Sequence, residues 1–368
     1  MRVSPELTRT LHHPDPGVQQ VLDIWMARFL ASQIPLGDVT ATLDRISGWA
    51  DWGQEWMVTA ELHERLGEEA WDQGRRLSAV AAYLTAARCY HMAYFLTVHD
   101  EDLHRRGMAK MVECHDRVLE HQEPAVEKIT VPFPDGDLAG LLSVPRGDGP
   151  PPPVVILLPG LDSTKETRHG GRGSLLRRGM AVLSLDGPGQ GEVSLRLPIR
   201  PDYEVVVSAA IDELERRADV DATRVGLIGA SLGGYYACRA AALEPRVRAA
   251  VANCGPYDWG EIYDELPEVT RGAFRHYSWS KSEEEARERA ALLDLTGVAE
   301  RITVPLVVVH GMLDPLIPVE HARRIASEAA DATLIEIEAG VHGGNNLSYS
   351  FEPWVDDWMA QHLGGRVA

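Results

Sequence analysis

Residues 225–245 read VGLIGASLGGYYACRAAALEP. An apolar run ends in Gly229-Ala230-Ser231-Leu232-Gly233, and an alanine-rich stretch of helical composition follows. The pentapeptide is a G-x-S-x-G between a strand and a helix. A serine hydroxyl is a poor nucleophile until a base takes its proton. A sharp strand-to-helix turn exposes such a serine only where small neighbours let the two elements approach, and Gly229, Gly233 and Gly234 are such neighbours. The same glycines also suit a packing turn or a phosphate loop. No lysine follows them, however, and the spacing matches neither a P-loop nor a dinucleotide fingerprint. Whether Ser231 is a nucleophile is decided by the rest of the chain.

Downstream, VPLVVVHGMLDPLIPVEHA (304–322) is a buried strand followed by a loop that carries Asp314. ATLIEIEAGVHGGNN (332–346) is a last strand followed by His342 in a glycine-flanked loop. Taken alone, Asp314 reads equally as a turn residue and His342 as a surface histidine. Together with Ser231 they stand in the chain order Ser, Asp, His expected of a nucleophile elbow. In a parallel sheet all three loops open at one edge, so the residues converge although remote in sequence. His342 is then the general base and acid, and Asp314 orients it and stabilises the imidazolium. An oxyanion site needs two backbone N–H groups aimed at the developing charge. The expected donors are Leu232, next after the nucleophile, and Leu161 in the loop of VVILLPGLDSTKE (154–166), beside Gly160. Ser163, Lys165 and Glu166 read as a cap or a local ion pair, and DGPGQGE (186–192) as a tight loop on the same edge.

The elements around this constellation alternate strand and helix from about residue 124 onward. VEKITVPFPDGDLAGLLSVPR is a hairpin around Pro-Asp-Gly, and short apolar strands then alternate with helical segments. The expected fold is α/β, a mostly parallel eight-stranded sheet covered on both faces. Residues 1–123 read differently. From about residue 14 to 121 the apolar and aromatic positions recur at helical spacing, as in Val18, Leu22, Trp25, Met26 and Phe29. No second copy appears at a fixed period, so this half is a helical domain and not a repeat array. The expected division is a helical domain over 1–123 and a catalytic domain over 124–368. A long segment, Pro256 to Arg301, exceeds a simple crossover and reads as a lid insertion. Its aromatics, among them Tyr257, Trp259 and Tyr263, read either as packing or, together with the N-terminal helices, as a cover that excludes water and holds a ligand.

A formal charge of -19 over 368 residues argues against nucleic acid, which needs a basic face, and against anionic membrane surfaces. The start, MRVSPELTRTLHHPDPG, lacks the apolar core of a signal peptide, and no run reaches the length of a membrane span. Cys89, Cys114, Cys238 and Cys254 are scattered, without metal spacing, and read as buried free thiols. A cytoplasmic enzyme with neither metal nor cofactor is the expectation.

The elbow with its following Gly-Tyr-Tyr, LPGLDSTKE and DGPGQGE together resemble the α/β-hydrolase family over about residues 124–364. With the helical domain included, the chain resembles a narrower group: dihydroxypseudooxynicotine hydrolase, FrsA-like esterases and polyketide-shortening carbon–carbon hydrolases. That resemblance implies cleavage of a carbon–carbon bond beside a ketone in an aromatic or polyketide-like small molecule. It also implies a further catalytic carboxylate, for which Glu261 is the positional match and Asp258 and Glu265 the rivals. Gly160, Tyr257, Trp259 and Tyr263 are the expected pocket residues. A homodimer is implied by the resemblance and by the aromatic-rich helical half. The alternatives are a carboxylesterase, lactonase or thioesterase with the same triad, and a non-catalytic binding protein on the same fold.

Overall fold

The structure, a computed structural model, describes residues 11–147, 149–170 and 173–366. Residues 1–10, which form most of the stretch read for a leader, and Asp148 of the proline-rich loop lie outside the described residues. The chain divides into two compact units, the second beginning at Val126.

The first unit is helical: α1 (Pro16–Ala31), α2 (Leu36–Leu43), α3 (Trp52–Asp72), α4 (Arg76–Tyr94) and α5 (Glu101–Asp116). Local chemistry sets its helix starts. Asp15 accepts from the Val18 N–H with Pro16 just inside α1, and Asp100 accepts from the Leu103 N–H of α5. The core is an aromatic cluster in which Phe29 meets Trp52, Trp56 and Phe95 at ring separations of 6.0–6.4 Å. The clustered tryptophans are thus core residues. Glu64, buried in this unit, accepts from the Tyr90 hydroxyl and pairs with Lys110 at 2.9 Å, which satisfies a carboxylate that burial alone would penalise.

The second unit is an eight-stranded sheet in the order β1-β2-β4-β3-β5-β6-β7-β8. Its strands are β1 (Glu127–Val131), β2 (Leu138–Ser143), β3 (Pro153–Leu158), β4 (Ala181–Asp186), β5 (Asp221–Ala230), β6 (Val247–Asn253), β7 (Leu306–Gly311) and β8 (Ala332–Ile337). β2 runs antiparallel to both β1 and β4, and every pair from β4 to β8 is parallel. Strands β2, β3, β4 and β7 are buried at every position. This explains the apolar runs of β3, β4 and β7, since a parallel sheet is covered on both faces. The helices are α6 (Lys165–His169), α7 (Gly173–Arg177), α8 (Glu204–Leu214), α9 (Leu232–Leu243), α10 (Trp259–Ile262), α11 (Glu268–Tyr277), α12 (Glu283–Ala290), α13 (Val319–Glu328) and α14 (Glu352–Leu363). Among the described residues no helix is long and apolar enough to cross a membrane.

The segment after β6 folds into α10, α11 and α12 around its own aromatic core. Trp259 stacks on Phe274 with centroids 5.8 Å apart, and Tyr263 meets the same ring edge-on at 5.6 Å. It is tied to the loop after β4, because Ile199 N–H donates to the Tyr277 carbonyl at 2.9 Å and Trp279 Nε1 to the Ser194 carbonyl at 3.1 Å.

Candidate active site

Ser231 lies between β5 and α9 with φ 56° and ψ -127°. A residue other than glycine is rarely found at positive φ, and such strain persists only where the surroundings enforce it. Close approach enforces it here. A Cβ on Gly229 would lie 1.9 Å from the Gly233 carbonyl oxygen, and one on Gly233 would lie 2.3 Å from that of Leu158. No side chain fits either position, so α9 lies against the ends of both β5 and β3. The serine N–H donates to the Asn253 carbonyl at the end of β6, 2.8 Å away.

Asp314 follows β7 and is almost wholly buried, its side chain 1% exposed. Oδ1 accepts from the N–H groups of Leu316 and Ile317 at 2.8 and 3.1 Å, and Oδ2 accepts from His342 Nδ1 at 2.7 Å. Burial alone would raise this carboxyl, but the His342 ring and the backbone donors overcome it and hold the pKa below the ordinary aspartate range. A carboxylate only accepts, so the imidazole proton sits on Nδ1 and Nε2 keeps its lone pair. His310, buried in β7, spans the same loop by bonding Nε2 to the Ile317 carbonyl at 2.9 Å. Burial lowers its pKa, against the opposing pull of the Asp314 carboxylate.

The His342 loop is held from β6. Asn253 Nδ2 donates to the Gly343 carbonyl at 2.9 Å, and the Gly343 N–H donates to Cys254 Sγ at 3.2 Å. One residue, Asn253, thus bonds the Ser231 N–H through its backbone and the residue after His342 through its side chain. Cys254, Asp314 and His342 each bring one ligand atom within 4.8 Å of the others. His342 Nδ1 is already engaged by Asp314, and burial pushes the Cys254 thiol up, so it stays protonated. The set reads as support for the histidine. Sequence reasoning passed over Asn253, Cys254 and His310; the available signal was polar side chains at the carboxyl ends of core strands.

The expected oxyanion donors fall on the two elements that meet at the elbow. Leu232 is the first residue of α9, where backbone N–H groups have no partner within the helix. Leu161 is buried in the loop after β3. Next to it, a Cβ on Gly160 would lie 3.1 Å from Ser231 Cβ and 3.7 Å from Ser231 Oγ, so this backbone passes directly beside the serine.

The remaining expected residues have other surroundings. Glu261 is half exposed, and its carboxylate lies 3.6 Å from Arg324. Asp258 caps α10 by accepting from the N–H groups of Gly260 and Glu261, and Glu265 is exposed. Tyr257 is buried with its hydroxyl donating to Glu328 at 2.7 Å and the Arg324 guanidinium over its ring at 3.7 Å. Trp259 and Tyr263 are buried against Phe274. These aromatics, expected to face a ligand, serve the core of their own segment and its contact with α13. Lys165 and Glu166, read as a local ion pair, belong to a larger buried cluster. Lys165 Nζ reaches Glu166 at 2.5 Å, Glu192 at 2.8 Å and Asp186 at 3.2 Å.

The family model for FrsA-like esterases matches residues 20–265, and that of the dienelactone hydrolase family matches residues 198–346. A 2,6-dihydropseudooxynicotine hydrolase of Paenarthrobacter nicotinovorans is 30% identical over 355 residues, covering 93% of each chain. A 20-hydroxy-prefusarin hydrolase of Gibberella moniliformis is 35% identical over 244 residues, 62% of this chain and 58% of that one. The crystal structure of 2,6-dihydroxy-pseudo-oxynicotine hydrolase matches with a TM-score of 0.84 at 29% identity, over 93% of this chain and 97% of that chain. A strained serine elbow at the edge of this eight-stranded sheet, a matching family model and a relative aligned nearly end to end agree: the chain is an α/β-hydrolase enzyme and belongs to the FrsA-like family.

Proposed function

We propose that the protein is a serine hydrolase in which Ser231 is the nucleophile, His342 the general base and then acid, and Asp314 the residue that orients the imidazole. The observation that carries this reading is the 2.7 Å bond from His342 Nδ1 to a buried Asp314, with Asn253 linking that loop to the strained Ser231. The backbone N–H groups of Leu232 and Leu161 receive the oxyanion, a term worth roughly 100- to 1,000-fold in rate for a single donor.

The substrate class we infer is a small aromatic or polyketide-like ketone. Ser231 Oγ adds to the ketone carbon while its proton passes to His342. Collapse of the oxyanion breaks the carbon–carbon bond, and the departing carbon keeps the electron pair and takes the proton from His342. Water, deprotonated by the same imidazole, then releases the acyl group from the serine as a carboxylic acid. We assign proton delivery to His342 and not to Glu261, because the Glu261 carboxylate is half exposed and faces Arg324. Ester hydrolysis by the same residues is the second reading, favoured by the match to an esterase family.

The test is mass spectrometry of products from a p-nitrophenyl ester and an acyl-phenol ketone, with fluorophosphonate labelling alongside. Ser231→Ala is expected to abolish labelling and turnover, and full turnover in that variant refutes the triad. Cleavage of the ketone supports the carbon–carbon reading, and cleavage of the ester alone replaces it with the second. Glu261→Gln is expected to leave the ratio of the two activities unchanged; a selective loss on the ketone returns the proton to Glu261.

A further inference from the structure

The two oxyanion donors lie on different elements. Leu232 opens α9, whereas Leu161 hangs in the loop after β3. Their separation must nonetheless match one oxygen atom, because catalysis of this kind is lost with small misplacements. Beside the direct backbone approach of Gly233 to Leu158 and Pro159, the loop after β4 supplies a hydrogen-bonded tie. Gln190 is 2% exposed, and its Nε2 donates to the Pro159 carbonyl at 2.6 Å, two residues before Leu161. Its Oε1 accepts from the Gly187 N–H at 2.9 Å and from the Tyr203 hydroxyl at 2.6 Å. The Tyr203 ring stacks on Tyr236 of α9 with centroids 3.8 Å apart and planes 11° from parallel. One amide therefore reaches the oxyanion loop directly and the nucleophile helix through a single aromatic contact.

The partners fix its orientation. A proline carbonyl only accepts and a backbone N–H only donates, so a group with both functions is required, and among side chains of this length glutamine has both. The other end of the oxyanion loop is also held. The Lys165 N–H donates to Asp186 Oδ1 at 2.6 Å, and Lys165 Nζ lies among Asp186, Glu166 and Glu192. Gly160 and Leu161 thus hang between two anchors, both of which come from the Asp186–Glu192 loop.

We propose that Gln190 is a positioning residue for the oxyanion site, holding the Leu161 loop and the Leu232 helix at one separation through its side-chain amide. This rests on the reading of Ser231 as nucleophile. Gln190 touches no reacting atom and acts through Pro159 and Tyr203. Loosening it therefore weakens binding of the transition state and leaves binding of the substrate nearly as it was.

The experiment compares Gln190→Met with the wild type, using 4-nitrophenyl butyrate as substrate and phenyl trifluoromethyl ketone, which forms a tetrahedral oxyanion on a serine, as inhibitor. The expected result is a kcat lower by roughly 10- to 100-fold, a KM within about threefold, and a loss of inhibitor affinity that parallels kcat. A purely structural role would lower the melting temperature without that parallel. A folded Gln190→Met with kcat and inhibition within about twofold of wild type overturns the proposal. If this variant does not fold, Tyr203→Phe decides, since it removes the hydroxyl bond to Gln190 Oε1 and keeps the ring that stacks on Tyr236. A loss in kcat and inhibitor affinity at unchanged KM supports the tie, and unchanged values overturn it. Ser231→Ala run in parallel separates the two failures. Turnover in that variant means the nucleophile is wrong, whereas its loss beside an indifferent Gln190 means only the tie is wrong.

Discussion

Replacing Asp314 by Asn isolates the step that depends most on geometry. Asn has the shape of Asp, and its two ends are not interchangeable at this position. Leu316 and Ile317 both present N–H donors, at 2.8 and 3.1 Å, so the amide oxygen must take the place of Oδ1. The NH2 group then faces His342 Nδ1, where Oδ2 accepts at 2.7 Å in the native protein. It can only donate, so the imidazole proton moves to Nε2. The nitrogen that should accept the serine proton no longer has a free lone pair. The expected loss in kcat is about 10,000-fold, or roughly 5.4 kcal/mol at about 1.36 kcal/mol per tenfold. Stability should change far less. A charge-assisted bond becomes a weaker neutral one, at a cost of about 1–2 kcal/mol, which for a unit of this size is a few degrees of melting temperature.

The pH dependence has a definite sign. The folded-state pKa of Asp314 is depressed, so its contribution to stability is present above the unfolded value and disappears as pH falls through the folded value. Melting curves of wild type and Asp314→Asn should therefore differ at neutral pH, and the difference should begin to shrink only as pH falls below about 4. The assay is hydrolysis of a p-nitrophenyl ester, with thermal melts from pH 3 to 8. A kcat within tenfold of wild type would refute the assignment of Asp314 as the partner that sets the tautomer.

Two further perturbations probe the scaffold. Gly229→Ala puts a methyl group 1.9 Å from the Gly233 carbonyl oxygen, a backbone atom with nowhere to move. It should cost about 3 kcal/mol or more and remove fluorophosphonate labelling; wild-type melting and labelling would show that the elbow tolerates a side chain. Lys165→Met leaves the carboxylates of Asp186, Glu166 and Glu192 without their shared cation, an expected cost of about 3–5 kcal/mol or roughly 10 °C. Burial already pushes the Asp186 carboxyl up to about 7 despite Lys165, and a raised carboxyl stabilises at low pH and loses that contribution as pH rises. The variant should thus lie closer to wild type at pH 5 than at pH 8, and an equal deficit at both would contradict the buried-charge account.

The sheet was legible before any coordinates because its cause is local. Strands covered on both faces are built mainly from apolar residues, as β3 is throughout and β4 and β7 are up to Leu183 and Val309. The serine, aspartate and histidine loops were equally legible, since an elbow needs glycines in one place and the topology orders the other two residues along the chain. The long segment after β6 read as an insertion by its length, but its aromatic residues could not be assigned. A ring that packs on Phe274 and a ring that faces a ligand have the same composition, and only the folded segment tells Trp259 from a pocket wall.

The same limit hid the supports of the site. Asn253 and Cys254 at the end of β6 and His310 in β7 carry no signal of their own until the fold brings their side chains to the Gly343 and Ile317 backbones. Lys165 looked like half of an ion pair with its neighbour Glu166, whereas its other partners, Asp186 and Glu192, come from the end of the adjacent strand β4 and the loop after it. Glu261 matched by position in the chain, yet the fold turned it toward Arg324. Sequence alone determined what periodicity and backbone sterics dictate, namely the strands, the helical first unit and the strained serine turn. Tertiary structure decided every property that depends on partners distant along the chain, because hydrogen bonds and desolvation act through space and leave no period in the sequence.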